Sequence, residues 1–216
     1  MKKYLAELLG TFFLVFAGTG AIVIDQVTQG GVTPVGIGLT FGFVVTVLIY
    51  ALGPISGAHL NPAVSIAFAL TRHFPVKELP GYILSQLVGA ILASLIILLL
   101  FGNVAHLGAS LPAGSELQSL GLEFLLSFLL MFVIMSVATG TKEVGQMAGL
   151  AIGLTVGLEA IFAGPICGAS MNPARSFGPA LVSLNLDHNW IYWLGPIIGA
   201  CLGGIVFNFI RDTHSR

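Results

Sequence analysis

A chain of 216 residues that is 56% hydrophobic and only 8% charged, with a mean hydropathy of +0.99, has lipid as its main solvent. Soluble domains carry about 25% charged residues. The net charge of −1 says nothing about nucleic acid, but no basic patch exists to bind it, and Cys167 and Cys201 are too few for a disulfide framework or a metal set.

Six apolar runs are long enough to cross a bilayer, at roughly 4–24, 34–52, 79–101, 117–138, 146–163 and 190–210, given that a spanning helix needs about 20 residues. The first run, from Tyr4 to Ile24, is expected to be a span and not a cleavable signal peptide, because no small-residue cleavage site follows it. The second ends at Gly53-Pro54. After it come two short helix candidates, roughly 61–70 and, after the fifth run, 172–183. At 1.5 Å per residue each is about 15 Å long, so neither spans alone, but two meeting tip to tip would cross the core together. The long connection 102–116 carries His106 and Pro112 and is expected outside, as a cap or a tether.

Residues 53–65 read Gly-Pro-Ile-Ser-Gly-Ala-His-Leu-Asn-Pro-Ala-Val-Ser, and residues 164–176 read Gly-Pro-Ile-Cys-Gly-Ala-Ser-Met-Asn-Pro-Ala-Arg-Ser. Nine of the thirteen positions are identical at a constant offset of 111 residues. Matching Pro- and Gly-broken segments in two halves of an apolar chain point to a solute path at the bilayer midplane. Each Asn-Pro opens a helix, with Asn as the N-cap and Pro at the first helical position. The Gly-rich residues before them are expected to be non-helical and to line a wet cavity.

The halves, roughly 1–101 and 117–210 of a single channel domain spanning 1–216, match elsewhere too. Gly38 and Gly42 correspond to Gly149 and Gly153, Glu7 to Glu123, and Gly89 and Ala93 to Gly199 and Gly203. Three spans per half is an odd number, so the halves must insert upside down relative to each other. Small residues every four positions allow close helix packing in lipid. Seven of the eight Lys and Arg residues (Lys2, Lys3, Arg72, Lys77, Lys142, Arg211 and Arg216) fall on one side of this topology, which makes that side cytoplasmic with both termini inside. Arg175 alone lies on the other side. An unpaired guanidinium facing lipid is costly, so Arg175 must face a polar cavity, where it repels cations and donates to solutes.

Asn61 and Asn172 are expected to cap their helices through the side-chain oxygen and to point the amide NH₂ into the lumen. Each helix end adds about half a positive charge, so the two facing ends disfavour a cation and accept the oxygen of a neutral molecule. Gly57, Ala58, His59, Gly168 and Ser170 would offer backbone carbonyls along the path. His59 is read as fixed by hydrogen bonds, not as a metal ligand. Glu7 and Glu123 are read as structural, binding backbone N–H groups of the re-entrant loops. Glu159 leaves two readings open: buried without a partner, hence neutral or functional, or hydrogen-bonded to the outer loops. Cys167 is read as a small loop residue, reactive if it lies at the outer vestibule.

The paired Asn-Pro-Ala motifs, with His-Leu before the first and Arg after the second, resemble the aquaporin (major intrinsic protein) family over essentially the whole chain. The stretch Gly-Pro-Ile-Cys-Gly-Ala-Ser-Met-Asn-Pro-Ala-Arg-Ser-Phe-Gly-Pro and Phe74-Pro-Val-Lys-Glu-Leu-Pro80 are most similar to nodulin-like intrinsic proteins and their bacterial relatives. The resemblance implies an all-α membrane channel of six transmembrane helices and two re-entrant half-helices in an inverted repeat, without cofactor or enzymatic activity. It also implies a homotetramer with one pore per subunit, in the cell (inner) membrane. It places Phe41, Ala160, Ala169 and Arg175 at the selectivity filter. Water-selective relatives have His where Ala160 stands, so the implied solutes extend beyond water to neutral molecules of glycerol or metalloid-acid size. Against this, Ser176 stands where glycerol facilitators have Asp, and Ala180, Tyr192 and Trp193 are similar to strict water channels. An ion-coupled secondary transporter is the rival of another class, and only Glu159 lies near either break to couple an ion.

Overall fold

The structure, a computed structural model, describes residues 1–211, apart from the side chains of residues 143 and 144. Arg216, counted above for orientation, lies outside the described residues. The described chain is helical: α1 (Lys2–Val27), α2 (Thr33–Ser56), α3 (Pro62–Leu70), α4 (Leu79–Phe101), α5 (Glu116–Ala138), α6 (Lys142–Gln146), α7 (Ala148–Cys167), α8 (Pro173–Val182) and α9 (Ile191–Ile210). Six of these, α1, α2, α4, α5, α7 and α9, are long and apolar enough to cross a membrane. Leu84, Leu99, Leu125 and Leu158 stay 59–79% exposed on their outer faces, as lipid-facing side chains do.

Packing follows the internal repeat. Helix α1 lies against α4 and α2, while in the second half α5 lies against α9 and α7; α2 and α7 pack on each other across the halves. The half-helices are exchanged: α3 packs against α9, and α8 against α4. Small residues make the central crossing possible. A Cβ on Gly42 would sit 2.7 Å from the Gly153 carbonyl oxygen and 3.1 Å from the Gly157 Cα, so α2 and α7 meet backbone to backbone.

Two expectations are corrected. Helices α2 and α7 do not stop before their Gly-Pro pairs but continue to Ser56 and Cys167, so residues 53–56 and 164–167 are helical. Pro54 and Pro165 each forfeit one backbone donor, yet the ladder resumes beyond them, with Gly57 N and Gly168 N donating to the Gly53 and Gly164 carbonyls at 2.9 Å. The break falls where the chain turns left-handed, at Gly57 (φ 86°) and Gly168 (φ 83°). Cys167 is therefore the last helical residue and not a loop residue. The connection before α5 is also more than a tether, since Gly108 and Ser110 reach the interior, and Ser115 caps α5 by accepting from Gln118 N at 3.2 Å.

Candidate functional site

The two re-entrant loops share an unusual backbone. After the glycine at each break the chain alternates through positive φ, at Ala58 (48°) and Leu60 (52°) in the first and at Ala169 (39°) and Met171 (53°) in the second. Such conformations cost about 1–3 kcal/mol each for a residue with a Cβ and persist only when the surroundings over-determine them. Two buried carboxylates supply that support. Glu7 accepts from His59 N (3.0 Å), Leu60 N (2.7 Å), Ser56 Oγ (2.7 Å) and Gln86 Nε2 (2.7 Å). Glu123 accepts from Ser170 N and Met171 N, both at 2.7 Å. Both glutamates are fully buried.

Each loop delivers an asparagine to a helix start. Asn61 Oδ1 accepts from Ala63 N at 2.9 Å, and Asn172 Oδ1 accepts from Ala174 N at 3.0 Å and Arg175 N at 3.3 Å. The amide nitrogens are not wholly free, which revises the expectation that they face only the lumen. Asn61 Nδ2 donates to the Met171 carbonyl at 2.7 Å, and Asn172 Nδ2 donates to the Leu60 carbonyl at 2.8 Å. One amide proton of each residue thus ties its helix start to the opposite loop. The other proton remains, and both asparagines border the same cavity. The two positive helix ends are held face to face.

Two cavities meet at this site. The larger, about 490 Å³, runs past Gly57, Ala58, His59, Asn61, Ala169, Ser170 and Asn172, with an apolar wall from Leu14, Val45 and Val156. The smaller, about 260 Å³, is bordered by Ile22, Ile37, Leu111, Ala160 and Gly168. Phe41 and Arg175 border both. The Arg175 guanidinium lies 5.1 Å from the centre of the Phe41 ring, within cation–π range. Of the four inferred filter residues, Phe41 and Arg175 meet at the junction, Ala160 lies on the smaller cavity and Ala169 on the larger.

Arg175 is 1% exposed, and Nη1 donates to the Gly108 carbonyl at 3.0 Å and to Ser110 Oγ at 2.5 Å. Neither Gly108 nor Ser110 was singled out from the sequence. Their connection has no internal repeat and no periodicity, and the only signal was its unusual length. His59 is held as expected: Nδ1 is 3.0 Å from Ser65 Oγ, and Phe68, Phe74 and Tyr82 surround the ring at 4.8–5.1 Å. No set of three metal-ligating side chains occurs among the described residues.

Glu159 is fully buried, and neither carboxyl oxygen finds a hydrogen-bond partner among the described residues. A bond to the outer loops is thereby excluded, and the other reading stands. Its side chain borders neither cavity. Cys167 is also fully buried, with Sγ 3.5 Å from the Ala163 carbonyl, and it lies on neither cavity, so it is not a vestibule residue.

Comparison with known proteins agrees with this geometry. The family model described as major intrinsic protein matches residues 1–207. Aquaporin NIP1-1 of Zea mays is 49% identical over 215 residues, covering 99% of this chain and 76% of that protein. Nodulin-26 of Glycine max is 48% identical over 214 residues, covering 99% and 79%. These nodulin-like relatives are plant proteins. The X-ray structure of the aquaglyceroporin from Plasmodium falciparum superposes with a TM-score of 0.82 at 26% identity, covering 99% of this chain and 96% of that one. By the extent of the family match and the identity to these relatives, the chain belongs to the major intrinsic protein family.

Proposed function

We propose that the protein is a passive channel for water and for small uncharged solutes of glycerol or metalloid-acid size, closed to protons and other ions. Family membership supports a channel in place of an enzyme, as do relatives named as aquaporins and a structural neighbour named as an aquaglyceroporin. The observation that supports the solute range is the meeting of Phe41 and Arg175 between the two cavities, with small Ala160 on one and small Ala169 on the other. Arg175 presents donors to hydroxyl or carbonyl oxygens, and Phe41 presents an apolar wall to the carbon side of the same solute.

Ion exclusion rests on Asn61 and Asn172. With about half a charge at each helix N-terminus, a monovalent cation 4 Å from both meets roughly 4 kcal/mol of repulsion at an effective dielectric of about 20. Arg175 adds a full charge farther along the path. An ion-coupled transporter would need a carboxylate on the path, and Glu159 borders neither cavity. The working unit is a single domain of residues 1–216, assembled as a homotetramer with one pore per subunit, in the cell membrane with both termini cytoplasmic.

The test is stopped-flow light scattering on proteoliposomes under gradients of water, glycerol, urea and boric acid. Water flux together with glycerol or boric acid flux, insensitive to imposed ion gradients, is the expected result. Water flux with all three solutes excluded would favour a strict water channel, the reading that Ser176, Tyr192 and Trp193 suggest.

A further inference from the structure

Arg175 is a donor only, so what holds it must accept, and what holds that acceptor must be arranged in turn. Beyond Ser110 lies a row of buried hydroxyls. Ser110 Oγ is 2.8 Å from Ser176 Oγ, Ser176 Oγ is hydrogen-bonded to Ser170 Oγ, and Ser170 Oγ donates to the Asn172 carbonyl at 2.9 Å. The three serines are 1–6% exposed.

Each hydroxyl has one proton, and that fixes the direction of every link. A carbonyl cannot donate, so the Ser170 proton points at Asn172. Ser170 therefore receives from Ser176, whose single proton is then spent. Ser110 must donate to Ser176, which leaves its lone pairs for Arg175 Nη1. The order runs from the Arg175 guanidinium through Ser110, Ser176 and Ser170 to the carbonyl of the helix cap. The sequence order is scrambled, because Ser110 comes from the α4–α5 connection while the others flank Asn172.

We propose that Ser176 and Ser110 are specificity-determining positioning residues: with Ser170 they form a directed hydroxyl relay that pins Arg175 against Phe41 and ties it to the Asn172 cap. This rests on the reading of Arg175 as the filter. Without the relay Nη1 keeps the Gly108 carbonyl but loses the oriented Ser110 lone pair, and the less firmly held guanidinium shifts toward the lumen, where it narrows the passage. Loss of the relay therefore lowers solute flux more than water flux. The relay carries no proton, since every hydroxyl proton points towards a carbonyl dead end, so ion exclusion is unaffected.

The test compares Ser176→Ala, Ser110→Ala, Ser110→Thr and Arg175→Val with wild type in proteoliposomes, measuring the ratio of urea and glycerol flux to water flux. Ser110→Ala is expected to lower that ratio about threefold or more, the loss of one hydrogen bond to a charged group being ample for this; Ser176→Ala, which leaves the Ser110 hydroxyl present but no longer oriented, lowers it in the same direction by less. Ser110→Thr, which keeps the hydroxyl, restores it, and Arg175→Val moves it upward. A ratio that shifts in Arg175→Val but stays at the wild-type value in both alanine variants overturns the relay and leaves the filter intact. An unchanged ratio in Arg175→Val overturns the filter reading itself. If Ser176→Ala fails to fold, Ser110→Ala, in a connection outside the spanning helices, still decides, with a wild-type thermal unfolding midpoint in mild detergent showing the fold intact.

Discussion

Replacing each anchoring glutamate by glutamine keeps the shape and removes one acceptor oxygen, and the two halves should respond unequally. Glu123 is committed to Ser170 N and Met171 N, both backbone donors that cannot reorient. In Glu123→Gln one of them faces an NH₂ group, and that NH₂ gains in exchange only the weakly accepting Cys167 sulfur. A buried unsatisfied polar group costs about 1–3 kcal/mol, so the two together destabilise by roughly 4 kcal/mol. Glu7 also loses one backbone donor, His59 N or Leu60 N, but its other partners adapt. With the new NH₂ on the Ser56 side, the Ser56 hydroxyl can rotate and accept from it, while Gln86 keeps its bonds to the remaining oxygen and to Ser65. One orphan remains and the cost is about 2 kcal/mol. Thermal unfolding in mild detergent should thus show Glu123→Gln well below Glu7→Gln, and stopped-flow water flux should fall in the same order, because the strained Ala169 and Met171 lose their anchor. Equal midpoints for the two variants, or a wild-type midpoint and flux for Glu123→Gln, would refute the reasoning.

Asn172→Asp keeps the cap acceptor but removes the donor to the Leu60 carbonyl and sets a negative charge between the helix ends; cation conductance or loss of membrane insertion is expected, and unchanged water flux with unchanged ion exclusion would count against the midplane barrier. Ala160→His places an imidazole in the 260 Å³ cavity and should cut glycerol flux about tenfold relative to water, equivalent to ~1.4 kcal/mol of lost fit; an unaltered ratio would show that residue 160 is remote from the constriction. An external mercurial should leave flux unchanged over minutes, since Cys167 is fully buried on neither cavity; rapid inhibition that Cys167→Ser abolishes would contradict that burial.

The repeated and periodic parts of this molecule are legible in its sequence. The α3 and α8 boundaries fall within a residue of the expected ones because Asn-Pro leaves a helix one place to start. The roles of Glu7 and Glu123 were readable because a carboxylate inside a span needs donors, and the broken loops were the available source. The ends of α2 and α7 lie beyond the prolines expected to stop them, because the left-handed glycine three residues on is what ends each helix. Helix α6, five residues long, has too short a pattern to announce itself. Gly108 and Ser110 were missed for a different reason: their contribution depends on where a non-repeated connection folds back, and that is set by tertiary packing. Gly108, at φ 74°, rests against the Thr19 backbone with no room for a Cβ, which presents its carbonyl to Arg175.

The halves diverge at four of the thirteen repeated positions, and two of those four explain why a buried cation is held on one side only. Val64 and Arg175 are equivalent, so the same helical turn offers an apolar wall in one half and a guanidinium in the other. His59 and Ser170 are equivalent as well, and they face equivalent serines, Ser65 and Ser176. In the first half Ser65 donates directly to the Asn61 carbonyl at 3.1 Å and receives Gln86 Nε2 at 3.0 Å. In the second, Ser170 takes over the bond to the cap carbonyl, which releases the Ser176 proton to point at Ser170 and its lone pairs to receive Ser110. Both serines end on the same carbonyl of the same motif, one directly and one through an inserted hydroxyl. The longer route occurs in the half that has an arginine to hold. With Val64 at the corresponding turn, the first half has no cation needing an acceptor, and a packed imidazole occupies the equivalent place. The departure from symmetry is thus one coupled change in which a cation, the hydroxyl row that orients it and the connection that completes the row belong together.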